Sequence, residues 1–199
     1  MAVCQVESRA IQSCFEYQDW MSSSPPRMQK SRSKGKKWGI SIQEPKDAQP
    51  AEILEGKLFI GNRAQATNWD LVSSLNIKYI VNASRDGSSP FPSIQYFTCP
   101  ITDTEKTDLS EACRLSWDFI ESAYQHSPAG AVLVHCASGI SRSVALVAHY
   151  LMRKECISYD ESMRRIRIKH PAAAPNAGFT LQLRLLEASF RKDPDEKNE

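Results

Sequence analysis

Alternating strand-like and helix-like patterns across residues 53–190 predict an α/β domain with a central, mostly parallel sheet flanked by helices. Short β-branched apolar runs recur at residues 57–61, 77–81, 95–99 and 131–134. Between and after them lie longer stretches with apolar residues at helical spacing, and glycine or proline punctuates the joins. No internal repeat interrupts this order.

Taken in sequence, Leu58-Phe59-Ile60 reads as a strand closed by Gly61. Thr67, with Asp70 three residues on, is expected to cap a short helix reaching Leu75. Residues 77–81 (IKYIV) form a buried strand, and residues 95–99 a further one after the Pro90-Phe91-Pro92 turn. From residue 110 to 126, Leu115, Phe119, Ile120 and Ala123 share a helix face that Pro128-Ala129-Gly130 terminates. Ala131-Val132-Leu133-Val134 is a continuous apolar strand, and the chain re-enters helix near Ser141. Ser158 and Glu161 make a capping box for a helix to about Lys169. Asn176 caps a last helix ending near Phe190.

The flanks differ. Residues 1–52 carry Ser22-Ser23-Ser24-Pro25-Pro26 and a basic run of Arg27, Lys30, Arg32, Lys34, Lys36 and Lys37. Such a segment buries too little apolar surface to offset its ordering entropy and is expected to be a disordered tail. The basic run reads as a solvated linker, a nuclear-import signal or a docking segment for an acidic partner such as a protein kinase. Residues 191–199 form a polar C-terminal tail.

Bulk properties narrow the function. A hydrophobic share of 41% allows a real core in a chain of 199 residues. The longest apolar run, residues 144–152, is half of the ~18 residues a membrane span needs, and it contains His149. Net charge of +2 points to neither nucleic acid nor membrane as partner. The six cysteines are irregularly spaced, with no C-x-x-C pair, which argues against a disulfide scaffold and against a zinc site. Cytosol or nucleus is the expected setting. Cys99, Cys113 and Cys156 read as core residues.

Chemistry concentrates in His135-Cys136-Ala137-Ser138-Gly139-Ile140-Ser141-Arg142-Ser143, between a buried strand and a helix. At such a junction successive backbone N–H groups and the positive end of a helix dipole face one spot, which makes an anion site. Gly139 permits the tight turn, and the Arg142 guanidinium can fork onto two oxygens of a phosphoryl group. Cys136 sits at the start of the ring. Electropositive surroundings of this type lower a thiol pKa to roughly 3.5–7.5. The Ser143 hydroxyl can donate to the sulfur and help it leave.

With its preceding histidine and following serine, Cys136-x5-Arg142 resembles the signature of protein tyrosine phosphatases, and the fuller H-C-x-x-G-x-S-R-S form resembles their dual-specificity subgroup. Leu58-Phe59-Ile60-Gly61-Asn62, Ile80-Val81-Asn82 and Pro175-Asn176-Ala177-Gly178-Phe179 are similar to other family elements, so the resemblance covers about residues 53–190. It implies a phosphocysteine mechanism on phosphotyrosine and phosphoserine or phosphothreonine in proteins, with no metal or other cofactor. Residues 137–142 would bind the phosphate. The family's acid precedes the cysteine by about thirty residues in an Ile-x-Asp step, which fits Ile101-Thr102-Asp103; Asp108 is the nearest competitor, though its spacing suits a helix start. His135 is expected to orient the loop, and Asn82 and Asn176 resemble bracing positions.

Two departures concern substrate preference. Where the family often has Arg-Pro, this chain has His170-Pro171, which is expected to weaken contacts to a second phosphate. Where it has Ala-Tyr-Leu-Met, this chain has His149-Tyr150-Leu151-Met152. Competing functions are a phosphoprotein-binding module with little turnover, and a phosphoinositide or RNA-triphosphate phosphatase. The latter would want basic residues inside the loop, where this chain has Ala137, Ser138 and Ile140.

Overall fold

The computed structural model describes residues 49–190, except 86 and 88; the basic run 27–37 and the tail 191–199 lie outside the described residues. Five strands form one sheet in the order β1-β2-β5-β3-β4: β1 Ala51–Leu54, β2 Leu58–Gly61, β3 Ile77–Asn82, β4 Gln95–Thr98 and β5 Ala131–His135. β1 runs antiparallel to β2, and every other pairing is parallel. The helices are α1 Arg63–Ala66, α2 Trp69–Ser74, α3 Ser110–His126, α4 Arg142–Glu155, α5 Tyr159–Lys169 and α6 Ala177–Phe190. The expected α/β class with a mostly parallel sheet is what the chain adopts.

Alternation along the strands splits the core into two layers. Leu58, Ile60, Tyr79, Val81, Val132 and Val134 face α3, α4, α5 and α6. Phe59, Ile80, Ala131 and Leu133 face Ala66 of α1 and Val72 of α2. Ile77 joins this second layer because the β3–β5 register shifts between Ile77 and Tyr79. α4 lies innermost among the helices, with every residue from Ser143 to Met152 buried. The apolar run 144–152 is therefore a core helix. Among the described residues no helix is long and apolar enough to cross a membrane.

Register positions the site. Gly61 pairs with His135, His135 with Asn82, and Asn82 with Thr98. Four parallel strands thus finish at one level, and the segments that follow them gather beyond a common carboxyl edge, where open α/β sheets carry their ligands.

Several local expectations change. Asn68, rather than Thr67, caps α2, accepting from the amides of Asp70 at 3.0 Å and Leu71 at 3.3 Å. Thr67 instead ends α1, its Oγ1 donating to Arg63 O at 3.0 Å. α1 itself, closed by a reciprocal Asn62–Gln65 capping box, had no helical periodicity to announce it. β1 likewise starts inside the segment read as tail. Ser158 accepts from the Glu161 amide, but the Glu161 carboxylate turns to Arg164 and Arg165, so only half of that capping box forms. Those arginines form a surface cluster with Glu161 and Glu155. Cys99 and Cys113 are core residues, whereas Cys156 is exposed and ends α4 in the left-handed region at φ 55°.

His149 occupies the buried face of α4, edge-on to Phe190 at 5.3 Å, and its Nδ1 has no hydrogen-bond partner among the described residues. Burial, aided by the charge of Arg153, pushes its pKa down to about 3. The unfolded chain takes up this proton near pH ~6.5, which the folded chain refuses until far lower pH, so stability must fall as pH drops through that window. Thermal unfolding is expected to lose about 1 kcal/mol per pH unit between about pH 6 and 4 from this group. His149→Leu should flatten that dependence, and a slope unchanged by the substitution would refute the assignment.

Candidate active site

Cys136 is the first residue after β5 and is fully buried, and Arg142 opens α4. The six residues between β5 and α4 have to curl over the sulfur, and Gly139 makes the curl possible at φ +77°. A β-carbon there would also lie 2.9 Å from Gly61 O, so the end of β2 sets how closely the loop is pressed down. The Gly139 amide donates to Cys136 Sγ at 3.2 Å, and the Ser143 hydroxyl lies 3.4 Å from the same sulfur.

Burial alone would push the Cys136 thiol up. The Ser143 hydroxyl and amide, the Gly139 amide and the Arg142 charge outweigh it and hold the thiol below its ordinary value. Cys99 serves as an internal control: burial, opposed only by its own backbone amide, pushes it up to about 12. Cys113 rises too, from burial and from Cys99 and Asp108 nearby. Burial is common to all three, so it is the loop that makes Cys136 the acidic one.

The loop's carbonyls are tied outward. Ala137 O accepts from the Arg63 amide at 3.3 Å, Gly139 O from His170 Nε2 at 2.9 Å, and Ile140 O from the Ala174 amide at 2.9 Å. Because a trans peptide is planar, a carbonyl drawn outward turns the following N–H the other way. The amides of Ser138, Ile140 and Ser141 are thereby turned away from these anchors. The side chains of Ala137, Ser138 and Ile140 are exposed and add no charge.

Arg142 is mostly buried, its side chain 12% exposed; Nη1 donates to Ile101 O at 3.4 Å, and Nε sits 3.5 Å from Asp103 Oδ2. That separation lies within ion-pair range, but the geometry gives Nε no hydrogen bond among the described residues. Asp103 is held at the rim: its Oδ1 accepts from Ser141 Oγ at 2.7 Å and Asn176 Nδ2 at 2.9 Å. The Asn176 amide donates to Ser141 Oγ at 3.2 Å, closing a three-residue ring, while its Oδ1 caps α6 through the Phe179 amide. Asn176 is thus both helix cap and brace. Asp108, by contrast, accepts from the amide and hydroxyl of Ser110 at the start of α3.

A protein-family model described as dual specificity phosphatase, catalytic domain, matches residues 58–189. The chain belongs to the dual-specificity phosphatase family. Dual specificity protein phosphatase 1B of Arabidopsis thaliana is 37% identical over 142 residues, 71% of this chain and 83% of that one. Dual specificity protein phosphatase Mpk3 of Drosophila melanogaster is 35% identical over 148 residues, 73% of this chain; the match spans only 36% of the fly protein. A mouse putative dual specificity phosphatase, solved as a complex with zinc tungstate, superposes with a TM-score of 0.66 at 31% identity, covering 77% of this chain and 94% of that one.

Within this dual-specificity phosphatase domain, the remaining expected residues fall around the loop. His135, buried at the end of β5, approaches Cys136 O through Nδ1 at 3.3 Å. Asn82, level with it on β3, accepts from the amide and hydroxyl of Ser84. Sequence reasoning missed Arg63 and Ala174, and it named His170 only as a departure bearing on a second phosphate; the contacts of all three to the loop cross long stretches of chain. It also missed the platform under Asp103. A β-carbon on Gly178 would fall 1.9 Å from Glu105 O, so α6 carries the 102–107 segment on its bare first turn. Gln182 then clamps both ends of the following turn, through Thr107 O and the Leu109 amide, each at 2.9 Å.

Removing a donor that favours the sulfur anion must raise the thiol pKa. Alkylation of Cys136 by iodoacetate should therefore have a pH midpoint below that of an ordinary cysteine thiol, and Ser143→Ala should shift that midpoint upward. A midpoint insensitive to Ser143 would contradict the assigned balance.

Proposed function

We propose that this domain hydrolyses phosphate monoesters on protein tyrosine and serine or threonine side chains through a phosphocysteine at Cys136. The observation that carries the reading is the Cys136 sulfur, buried yet held below its ordinary pKa by Gly139, Ser143 and Arg142. A thiolate is the nucleophilic form of cysteine, and this one lies at the floor of a ring of amides.

In the first step Sγ attacks phosphorus, the P–O bond to the substrate side chain breaks, and the leaving oxygen takes a proton from protonated Asp103. In the second, water attacks phosphorus and gives a proton to the Asp103 carboxylate, while the S–P bond breaks and its electron pair returns to sulfur. The Ser143 hydroxyl supports that departing anion. Arg142, with an Nε that makes no hydrogen bond among the described residues, supplies a donor for the equatorial oxygens. The tungstate recorded with the mouse relative is a tetrahedral oxyanion of the same kind. Ala137, Ser138 and Ile140 give the loop no additional cation, which favours a singly phosphorylated protein side chain over a multiply charged lipid headgroup or RNA end.

The direct assay is turnover of p-nitrophenyl phosphate and of phosphotyrosine and phosphothreonine peptides by the full chain in excess chelator. Activity on all three, abolished by Cys136→Ser, is expected; a folded protein inert toward all three would overturn the proposal.

Asp103 matters most when the leaving oxygen is basic, and general acid catalysis is worth about 10²-fold or more. Asp103→Asn should cost about that much on phosphoserine peptides and far less on p-nitrophenyl phosphate, whose phenolate leaves unaided. Gly178→Ala, which forces Glu105 and its neighbours off α6, should show the same leaving-group pattern with a smaller loss. Equal losses on both substrates would remove Asp103 as the acid.

A further inference from the structure

His170 has an unusual position for a side chain outside the loop. It ends α5, its amide donating to Ile166 O at 2.7 Å and its carbonyl accepting from the Ala173 amide at 3.0 Å, so its backbone is pinned on both sides. Pro171 follows and prevents the helix from continuing. Arg167 Nε donates to Ala173 O at 3.1 Å, and the Ala174 amide donates to Ile140 O, which ties the whole 170–174 bridge to α5 on one side and to the loop on the other. From this fixed post the His170 ring reaches Gly139 O, thirty-one residues away in sequence, at 2.9 Å. A carbonyl only accepts, so Nε2 carries the hydrogen.

We infer that His170 is a positioning residue for phosphate binding: by holding Gly139 O outward it fixes the Gly139–Ile140 peptide plane and aims the Ile140 amide at the bound oxyanion. The argument rests on the phosphate-loop reading given above and deepens it. Gly139 is the flexible member of the ring, at φ +77°, and the peptide after a glycine is the one most free to flip. Its neighbours are held by backbone donors, Arg63 on one side and Ala174 on the other. At the glycine the holding donor is a side chain, that of His170. The Gly139 amide that contacts the sulfur belongs to the preceding peptide, so His170 acts on oxyanion binding and leaves the thiolate alone.

That separation makes the role testable apart from simple stability. Protection of Cys136 from iodoacetate by inorganic phosphate, read on the Cys136 peptide by mass spectrometry, reports oxyanion binding without turnover. His170→Leu, which keeps the bulk but loses the donor, and His170→Ala should each need about tenfold more phosphate for half-protection, the equivalent of one lost hydrogen bond. His170→Gln, which restores an N–H at similar reach, should come back to within about threefold of the wild type. The pH midpoint of Cys136 alkylation without phosphate should be the same in all four proteins. Leu and Ala variants that melt normally and bind phosphate as the wild type does would overturn the inference, as would a Gln variant no better than Leu. A wild-type chain unprotected by phosphate would sink the phosphate-site reading itself, and this inference with it.

Discussion

A sulfur anion at the bottom of a protein is unstable unless donors already point at it, and the rest of this structure follows from supplying them. Burial raises the free energy of the charged form, as Cys99 and Cys113 demonstrate in the same core. At Cys136 the sign reverses because two amides, a hydroxyl and a guanidinium converge within a single turn. None of these donors has to move to do so, which is what electrostatic preorganisation requires. Of these donors, the Arg142 guanidinium is the one proposed to serve a transferring phosphoryl group as well.

Holding amides inward means holding carbonyls outward, and that demand reaches far beyond the loop. β2 ends at the right level to seat Gly139 and to offer the Arg63 amide, because its register with β5 sets Gly61 against His135. The bridge between α5 and α6 supplies His170 and Ala174 on the opposite side. α6 in turn supports Asp103 through Asn176 and leaves room for the 102–107 segment at Gly178. Sheet register, a helix end and a glycine thus each have a chemical consequence at one sulfur.

Much of this was legible in the sequence where the information is contiguous. The parallel strands, the four longest helices and the stretch from His135 to Ser143 could be read because periodicity and motif lie within a dozen residues. Ser141 and Asn176 were both singled out, yet nothing in their spacing says that they meet over Asp103. The same holds for His170 and Gly139, since such pairings depend on how helices return across the sheet. The cap of α2 was misplaced by one residue because Thr67 and Asn68 are both capping types; the turn of α1 just before them claims the threonine. β1 was hidden because four residues with one charge carry no period of their own. Cys156 read as core from residue type, while its left-handed backbone at the end of α4 turns it to solvent.

The claim on which the account stands is that phosphorus becomes bonded to the Cys136 sulfur. Rapid mixing of the full chain with a labelled phosphotyrosine peptide, followed by acid quench, digestion and mass spectrometry, reads that bond. Label recovered on the peptide bearing Cys136, enriched when Ser143→Ala slows its breakdown, is the predicted result. Turnover with no label on that cysteine at any time, or label on a different residue, would contradict it.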